Sequence, residues 1–443
     1  MVPYLRPQKI NHIHFLYTGL SFLGFGLFFG ICAALQYVFP GIGRDLFSFE
    51  KLRPLHVSAV VFWIIMTAIG SMLTYIQQHQ QEKFRYQSTI PWVYFLFTIT
   101  FVSILTSYAM GIFGGREYWE FHPLFAIPIL IGWILCILLV LQNLSIKKRQ
   151  PVYVWMWLTG LCFFLFTYVE SYMWLIPFFR NNLVKDMTIQ WKSYGSMVGS
   201  WNMILYGSSI FLMQKISEDT RYSHSKISFL LYFLGLFNLM FNWGHHIYTL
   251  PTANYIKHIG YLVSMTELLI FGRILWLWKG SISTAKKHFH HKAYQFLLAA
   301  DIWVFLTLGL AIGMSIPALN IWIHGTHVVV AHTMGASIGI NSMLLLGYCY
   351  DILHPKASKQ RPSSLRENWG YLLIQFCLAV FWISLIIAGI MKSYWQFNPS
   401  PVPYSGMLQN ARVWFVLFFL SGIGLCIGFI KVLSPLFSRK QAC

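Results

Sequence analysis

Acidic residues are what this sequence has least of. Its 443 residues hold 13 Asp and Glu against 32 Lys and Arg, and the four types together make up only 10% of the chain. An ordinary soluble domain is about 25% charged, so scarcity on this scale excludes a large water-facing surface. Cysteine pairs at metal or heme spacing are also missing. The seven cysteines are scattered, and none falls in Cys-x-x-Cys or Cys-x-x-Cys-His. That excludes a thiolate metal centre by spacing, and a fused c-type heme domain. No low-complexity tract, internal repeat or soluble domain interrupts the chain, so residues 1–443 read as a single domain. The first apolar stretch lacks a small-residue cleavage site, and no cleavable signal peptide is expected.

What is present is hydrophobic: 57% of residues, with 18% aromatic and a mean hydropathy of +0.57. Twelve apolar stretches reach spanning length, at 13–38, 54–77, 91–113, 123–143, 152–178, 189–214, 226–247, 255–279, 291–315, 318–350, 367–391 and 410–436. They predict an all-α polytopic membrane bundle of about twelve transmembrane helices. A net charge of +19 also raises nucleic acid as a partner. The distribution argues against it. Cations crowd into alternate loops, such as Lys147, Lys148 and Arg149, or Lys356, Lys359, Arg361 and Arg366. This is the positive-inside bias; it predicts both termini in the cytoplasm, an anionic bilayer as the partner of the charge, and no nucleic acid.

Histidine carries the chemistry. His245 and His246 end an apolar stretch in Phe-Asn-Trp-Gly-His-His, while His56 and His332 belong to other spans. Imidazole is costly to leave unpartnered in hydrocarbon and is a ready metal ligand when neutral. Alternating span direction puts all four, with His324, His327 and Tyr194, in the outer half of the bundle. In span 10, His332 and Met334 are two residues apart and point about 200° apart on a helix. Both imidazole and thioether ligate heme. Core packing is the ordinary use of a membrane methionine. Glu170, Glu267, Arg273 and Asp301 are charges inside predicted spans. Such groups are read as functional first, though structural pairing serves Glu170, Arg273 and Asp301 at least as well.

At these residues the chain resembles subunit I of the heme-copper oxidase superfamily, and within it the large subunit of cytochrome-c-dependent nitric oxide reductases. LQYVF (35–39), RPLH (53–56), GREYWE (115–120), GHH (244–246), Glu267 in SMTELL, IHGTH (323–327) and AH (331–332) carry it, in order and over nearly the whole chain. The resemblance implies two hemes of b type. His56 would ligate the low-spin heme and His332 the high-spin heme. His245 and His246 would hold a non-heme metal, iron or copper, and Glu117 would help hold a structural calcium. Glu267 would line the site or deliver protons.

Three departures stand beside it. Met334 replaces the second histidine of a His-x-His and becomes the expected partner of His56. Tyr194 stands at the third metal histidine, and Val198 at a glutamate that also reaches the metal. Either the Tyr194 phenolate completes the non-heme site, or that metal is weak or lost. Residues 237–244 also lack the redox tyrosine of cbb-type oxidases. The expected function is that of an oxidoreductase in a bacterial inner membrane. It takes electrons from a soluble or membrane-anchored cytochrome c subunit and reduces nitric oxide to nitrous oxide. The alternatives are a cbb-like dioxygen reductase and a non-catalytic electron-transfer or gas-sensing heme protein.

Overall fold

The computed structural model describes residues 10–80, 84–144, 149–266, 291–355, 365–398 and 401–437. Among these residues there are no strands beyond one isolated bridge between Arg116 and Trp119. The long helices are α1 (His12–Val38), α2 (Phe49–Gln80), α3 (Thr89–Ala109), α4 (Ala126–Asn143), α5 (Val152–Glu170), α6 (Leu183–Ser217) and α7 (Lys226–Phe241). After them come α8 (254–266 of the described residues), α9 (His291–Ser315), α10 (His327–Met334), α11 (Met343–Leu353), α12 (Leu365–Phe397) and α13 (Arg412–Phe437).

Ten helices among the described residues are long and apolar enough to cross a membrane. Two more of the twelve expected spans are seen. The 35-residue α6 is helical throughout but carries Lys185, Asp186, Lys192 and Lys215, which lower its hydropathy. The span expected at 255–279 is described only through 266. With no water in the hydrocarbon, a helix that bonds its own backbone is the natural spanning element.

One helix organises the rest. Within its most apolar window α2 is 89% buried, against 22–61% for the other spanning helices. It packs along α1, where small residues let the backbones approach closely. A Cβ on Gly26 would lie 2.9 Å from Val60 Cγ2. The expected tenth span is not one straight helix. A short helix, Pro317–Ile323, ends at a turn through Gly325, whose φ is +71°. The chain then runs through α10, a π-helical segment Gly335–Ser342, and α11. Wide π turns are uncommon and concentrate at functional sites.

Candidate functional site

A cavity of about 450 Å³ opens inside the bundle, lined by His56, Tyr194, His245, His246, His332 and Met334 among others. That is ordinary for a small-molecule or cofactor site. Residues from α2, α6, α7, α9 and α10 reach it, so the separate stretches of sequence do converge.

His56 lies in the second turn of α2. Its Nδ1 donates to the Gly26 carbonyl across the helix pair at 2.7 Å. That bond fixes the ring and leaves Nε2 available as a ligand atom, the usual arrangement behind a metal-bound imidazole. The ring needs the space above Gly30, because a Cβ there would lie 2.8 Å from Nδ1 and 2.9 Å from Cε1.

His245 and His246 sit on a 3-10 turn, Asn242–Ile247, that closes α7. The tight turn brings their ring centroids to 4.1 Å. His245 Nδ1 donates to Asn242 Oδ1 at 3.0 Å, and the same oxygen accepts from Ser264 Oγ at 2.6 Å. His246 stacks on Trp191, centroids 5.4 Å apart and planes 12° apart. The electrostatic neighbours of His245 include His246 and His332. Asn242 and Trp191 were not singled out from sequence, although Asn242 stands one helical turn before His245.

His332 has a buried Nδ1 with the Thr307 backbone beside it but no well-formed hydrogen bond. His332 and Met334 both line the cavity, at the end of α10 where the π segment begins. His324 and His327 do not line it. His327 is packed against the rings of Tyr37 and Phe415, centroids at 5.6 and 5.1 Å.

The loop after α3 lies at this end of the bundle, with Tyr118 and Trp119 lining the cavity. Arg53, three residues before His56, pairs with Glu117 and, at 3.2 Å, with Glu120. Arg116 reaches Asp186 of α6 at 2.7 Å. The cation that Glu117 faces here is therefore the Arg53 guanidinium. Burial pushes the Glu120 carboxyl up, against backbone hydrogen bonds and Arg53 that hold it down. Burial, and then Glu117, pushes the Tyr118 phenol up to about 12. Tyr194 belongs with this loop. Its ring meets Tyr118 edge-on at 5.5 Å, and its charged and phenolic neighbours are Tyr172, Glu120, Glu117 and Arg116. It lines the same cavity as the histidine pair.

Glu267 and Arg273 lie outside the described residues. Glu170 is paired with Lys192, and Asp301 lines the cavity. Two heme-type ligand groups fit. His56 and His332 offer imidazoles and Met334 a thioether. Among the described residues, buried polar atoms on the same wall have no protein partner: Trp201 Nε1, Asn202 Oδ1 and Asn238 Oδ1. A non-heme metal fits less well. Among the described residues no group of three His, Cys, Asp or Glu is placed to hold a metal ion, and two imidazoles leave a metal under-coordinated.

The arrangement defines a class: a multi-pass helical membrane protein with a histidine-bearing cavity inside the bundle. Residues 12–427 match the family of cytochrome c and quinol oxidase polypeptide I, and the chain belongs to that family. A nitric oxide reductase chain of Stutzerimonas stutzeri is 21% identical, over 99% of this chain and 97% of that protein. Cytochrome c oxidase subunit 1 of Rhodobacter capsulatus is 23% identical, over 87% and 75%. The cbb3-type oxidase chain CcoN1 of S. stutzeri is 23% identical, over 83% and 79%. A solved heme-copper terminal oxidase dimer shares the fold, with a TM-score of 0.72 at 13% identity, over 97% of this chain and 84% of that one. The relatives include both a nitric oxide reductase and cytochrome c oxidases, and identity near 20% does not divide them.

Proposed function

We propose that this chain is the heme-bearing subunit of a membrane reductase. It takes electrons one at a time from a cytochrome c-type donor at the outer face and reduces nitric oxide to nitrous oxide. The observation that carries the reading is the convergence of His56, His332, Met334, His245 and His246 on one cavity. Two hemes would supply the electron transfer and the gas-binding iron, held by His56 with Met334 and by His332.

The chain's own residues supply the rest. The Gly26 carbonyl keeps the His56 ring aimed, as Asn242 does for His245. The apolar wall excludes bulk water. The reaction joins two nitric oxide molecules, two electrons and two protons into nitrous oxide and water, so protons must reach the cavity. Nitric oxide is favoured over dioxygen because residues 237–244 carry no tyrosine to serve as a redox donor, and because the nitric oxide reductase aligns nearly end to end.

A second reading has one observation behind it. Among the described residues no third His, Cys, Asp or Glu is placed to hold a metal with His245 and His246, which suits a heme protein that transfers electrons or senses gas without turnover. An optical spectrum, metal analysis and gas electrode on purified protein separate the readings. The first expects two hemes per chain and nitric oxide consumption with a reduced cytochrome c; the second expects hemes and no consumption. A protein without heme ends both.

A further inference from the structure

A second, smaller pocket opens where the chain passes from α1 to α2. It holds about 250 Å³ and is lined by Gln36, Tyr37, Pro40, Arg44, Phe49 and Glu50. That falls just under the ~300–1,000 Å³ of ordinary ligand pockets, so it suits a guest the size of a headgroup rather than a cofactor. None of its lining residues belongs to the histidine cavity. The loop that shapes it is held in place. The Gln36 amide donates to the Ile42 carbonyl at 3.3 Å and to the Phe47 carbonyl at 2.8 Å. Gly43, at φ +66°, turns the chain so that the amides of Leu46 and Phe47 donate back to its carbonyl.

The same loop turns apolar side chains outward: Phe39, Ile42, Leu46 and Phe47 are all exposed. A cluster of this kind marks a contact surface, and its place says which. The loop joins two membrane-crossing helices, His12–Val38 and Phe49–Gln80, so it sits at the level where lipid headgroups meet water. From it an open face of α1 runs into the span. Gln36, Cys32, Phe28 and Phe25 recur at spacings of three and four, on one side of the helix. Phe25 and Phe28 are exposed, and a Cβ on Gly24 beside them would meet nothing within 4 Å. The pocket itself carries one charge of each sign. Arg44 and Glu50 are both exposed at its rim. Arg44 is a charged neighbour of Glu50, yet among the described residues no ion pair joins them. Tyr37 and Phe49 meet edge-on, centroids 5.4 Å apart and planes at 86°. A corner of two perpendicular rings beside a carboxylate suits an ammonium group, and a guanidinium suits a phosphate.

We propose that this pocket holds the headgroup of one zwitterionic phospholipid. The phosphate sits at Arg44, the ammonium group at Glu50, Tyr37 and Phe49, and an acyl chain lies along the Gly24–Phe28 face of α1. Neither heme nor gas chemistry is needed for it. An unspecific lipid coat has the opposite preference. A chain of net charge +19 attracts anionic lipid wherever its cations meet the surface. A headgroup without an ammonium leaves the Glu50 carboxylate facing a phosphate, and like charges repel.

The test uses the full-length protein in detergent, stripped of lipid, with phosphatidylethanolamine and phosphatidylglycerol of matched acyl chains as probes. Native mass spectrometry counts the lipid retained as each is added. The first phosphatidylethanolamine should bind at least tenfold more tightly than the first phosphatidylglycerol. Arg44→Gln should weaken that phosphatidylethanolamine at least tenfold. Glu50→Gln should weaken it as much while sparing phosphatidylglycerol, so that the ratio of the two affinities falls toward one. Equal affinity of the wild type for both lipids overturns the site. So does phosphatidylethanolamine held within twofold of wild type by either variant. Should a variant fail to fold, the wild-type ratio decides alone. A photo-crosslinker attached to Leu46→Cys in native membranes should label phospholipid; label on a protein chain in its place overturns the lipid as occupant.

Discussion

His332→Ala should remove the high-spin heme signal and leave the low-spin bands, because only one of the cavity's two ligand sets is cut. Absorption spectra of the reduced and carbon monoxide-bound protein check this; an unchanged spectrum rejects the assignment. Met334→His should lower the potential of the low-spin heme, since a thioether favours ferrous iron more than imidazole does, and a redox titration reads the shift. Glu120 gives a prediction in pH. Its carboxyl is raised in the folded loop, so the folded state holds that proton more tightly than the unfolded chain. Its contribution to stability therefore falls as pH rises from about 4.5, the ordinary value, through the raised one. Glu120→Gln should flatten the fall of the thermal midpoint over that range; an unaltered slope counts against the role of Glu120. The histidines that line the cavity were legible in the sequence because imidazole is rare and costly at membrane depth. Their supports were not. Arg53, Asn242 and the Gly26 carbonyl carry no signal until the helices are docked, and the Tyr194 ring, which lines the cavity with the histidine pair, meets Tyr118 edge-on.

The contact between α1 and α2 is where an element becomes part of the site. Gly30→Ala places a methyl 2.8 Å from the His56 ring nitrogen. Overpacking of this kind costs about 1–3 kcal/mol, and here the strain falls on a ligand. The expected result is a lower thermal midpoint together with loss or broadening of the low-spin heme bands. A stable variant with native bands means that α1 yields more readily than its packing implies. Gly339 in the π segment is comparable: a Cβ would lie 2.8 Å from Trp303 Cβ, with ring atoms closer still. Helices as such were legible from long apolar runs. The break at Gly325 and the π turns were not. Hydropathy measures how apolar a stretch is, and both α- and π-helix satisfy that equally. His332 and Met334, two residues apart on α10, both line the same large cavity.

Across the whole molecule, the charge pattern makes a claim about orientation. The cavity-lining histidines come from the expected outer halves of their spans, and in the sequence Lys and Arg concentrate in the loops at the opposite ends. Reporter fusions at the two termini and in the loop at 40–48 should place the termini in the cytoplasm and the loop outside. The reverse result would put the cavity mouth on the wrong side for a periplasmic donor. Ten of the expected spans emerged directly, because spanning length is written in composition. The eleventh, expected at 189–214, is the helix α6, whose charges Asp186 and Lys192 are answered by Arg116 and Glu170. The π segment ties the two ends together. An α-helix advances about 100° per residue, and a π turn accommodates extra residues without lengthening the span in proportion. Everything after Gly335–Ser342 is therefore rotated against everything before it. Deleting one residue from that segment would turn Tyr348 and Asp351 about a third of a circle relative to His332 and Met334, while every side chain stayed present and the span stayed apolar. The bulge acts as an angular spacer. It sets the azimuth between the half of the helix that faces the histidine-lined cavity and the half that faces α2 and α6.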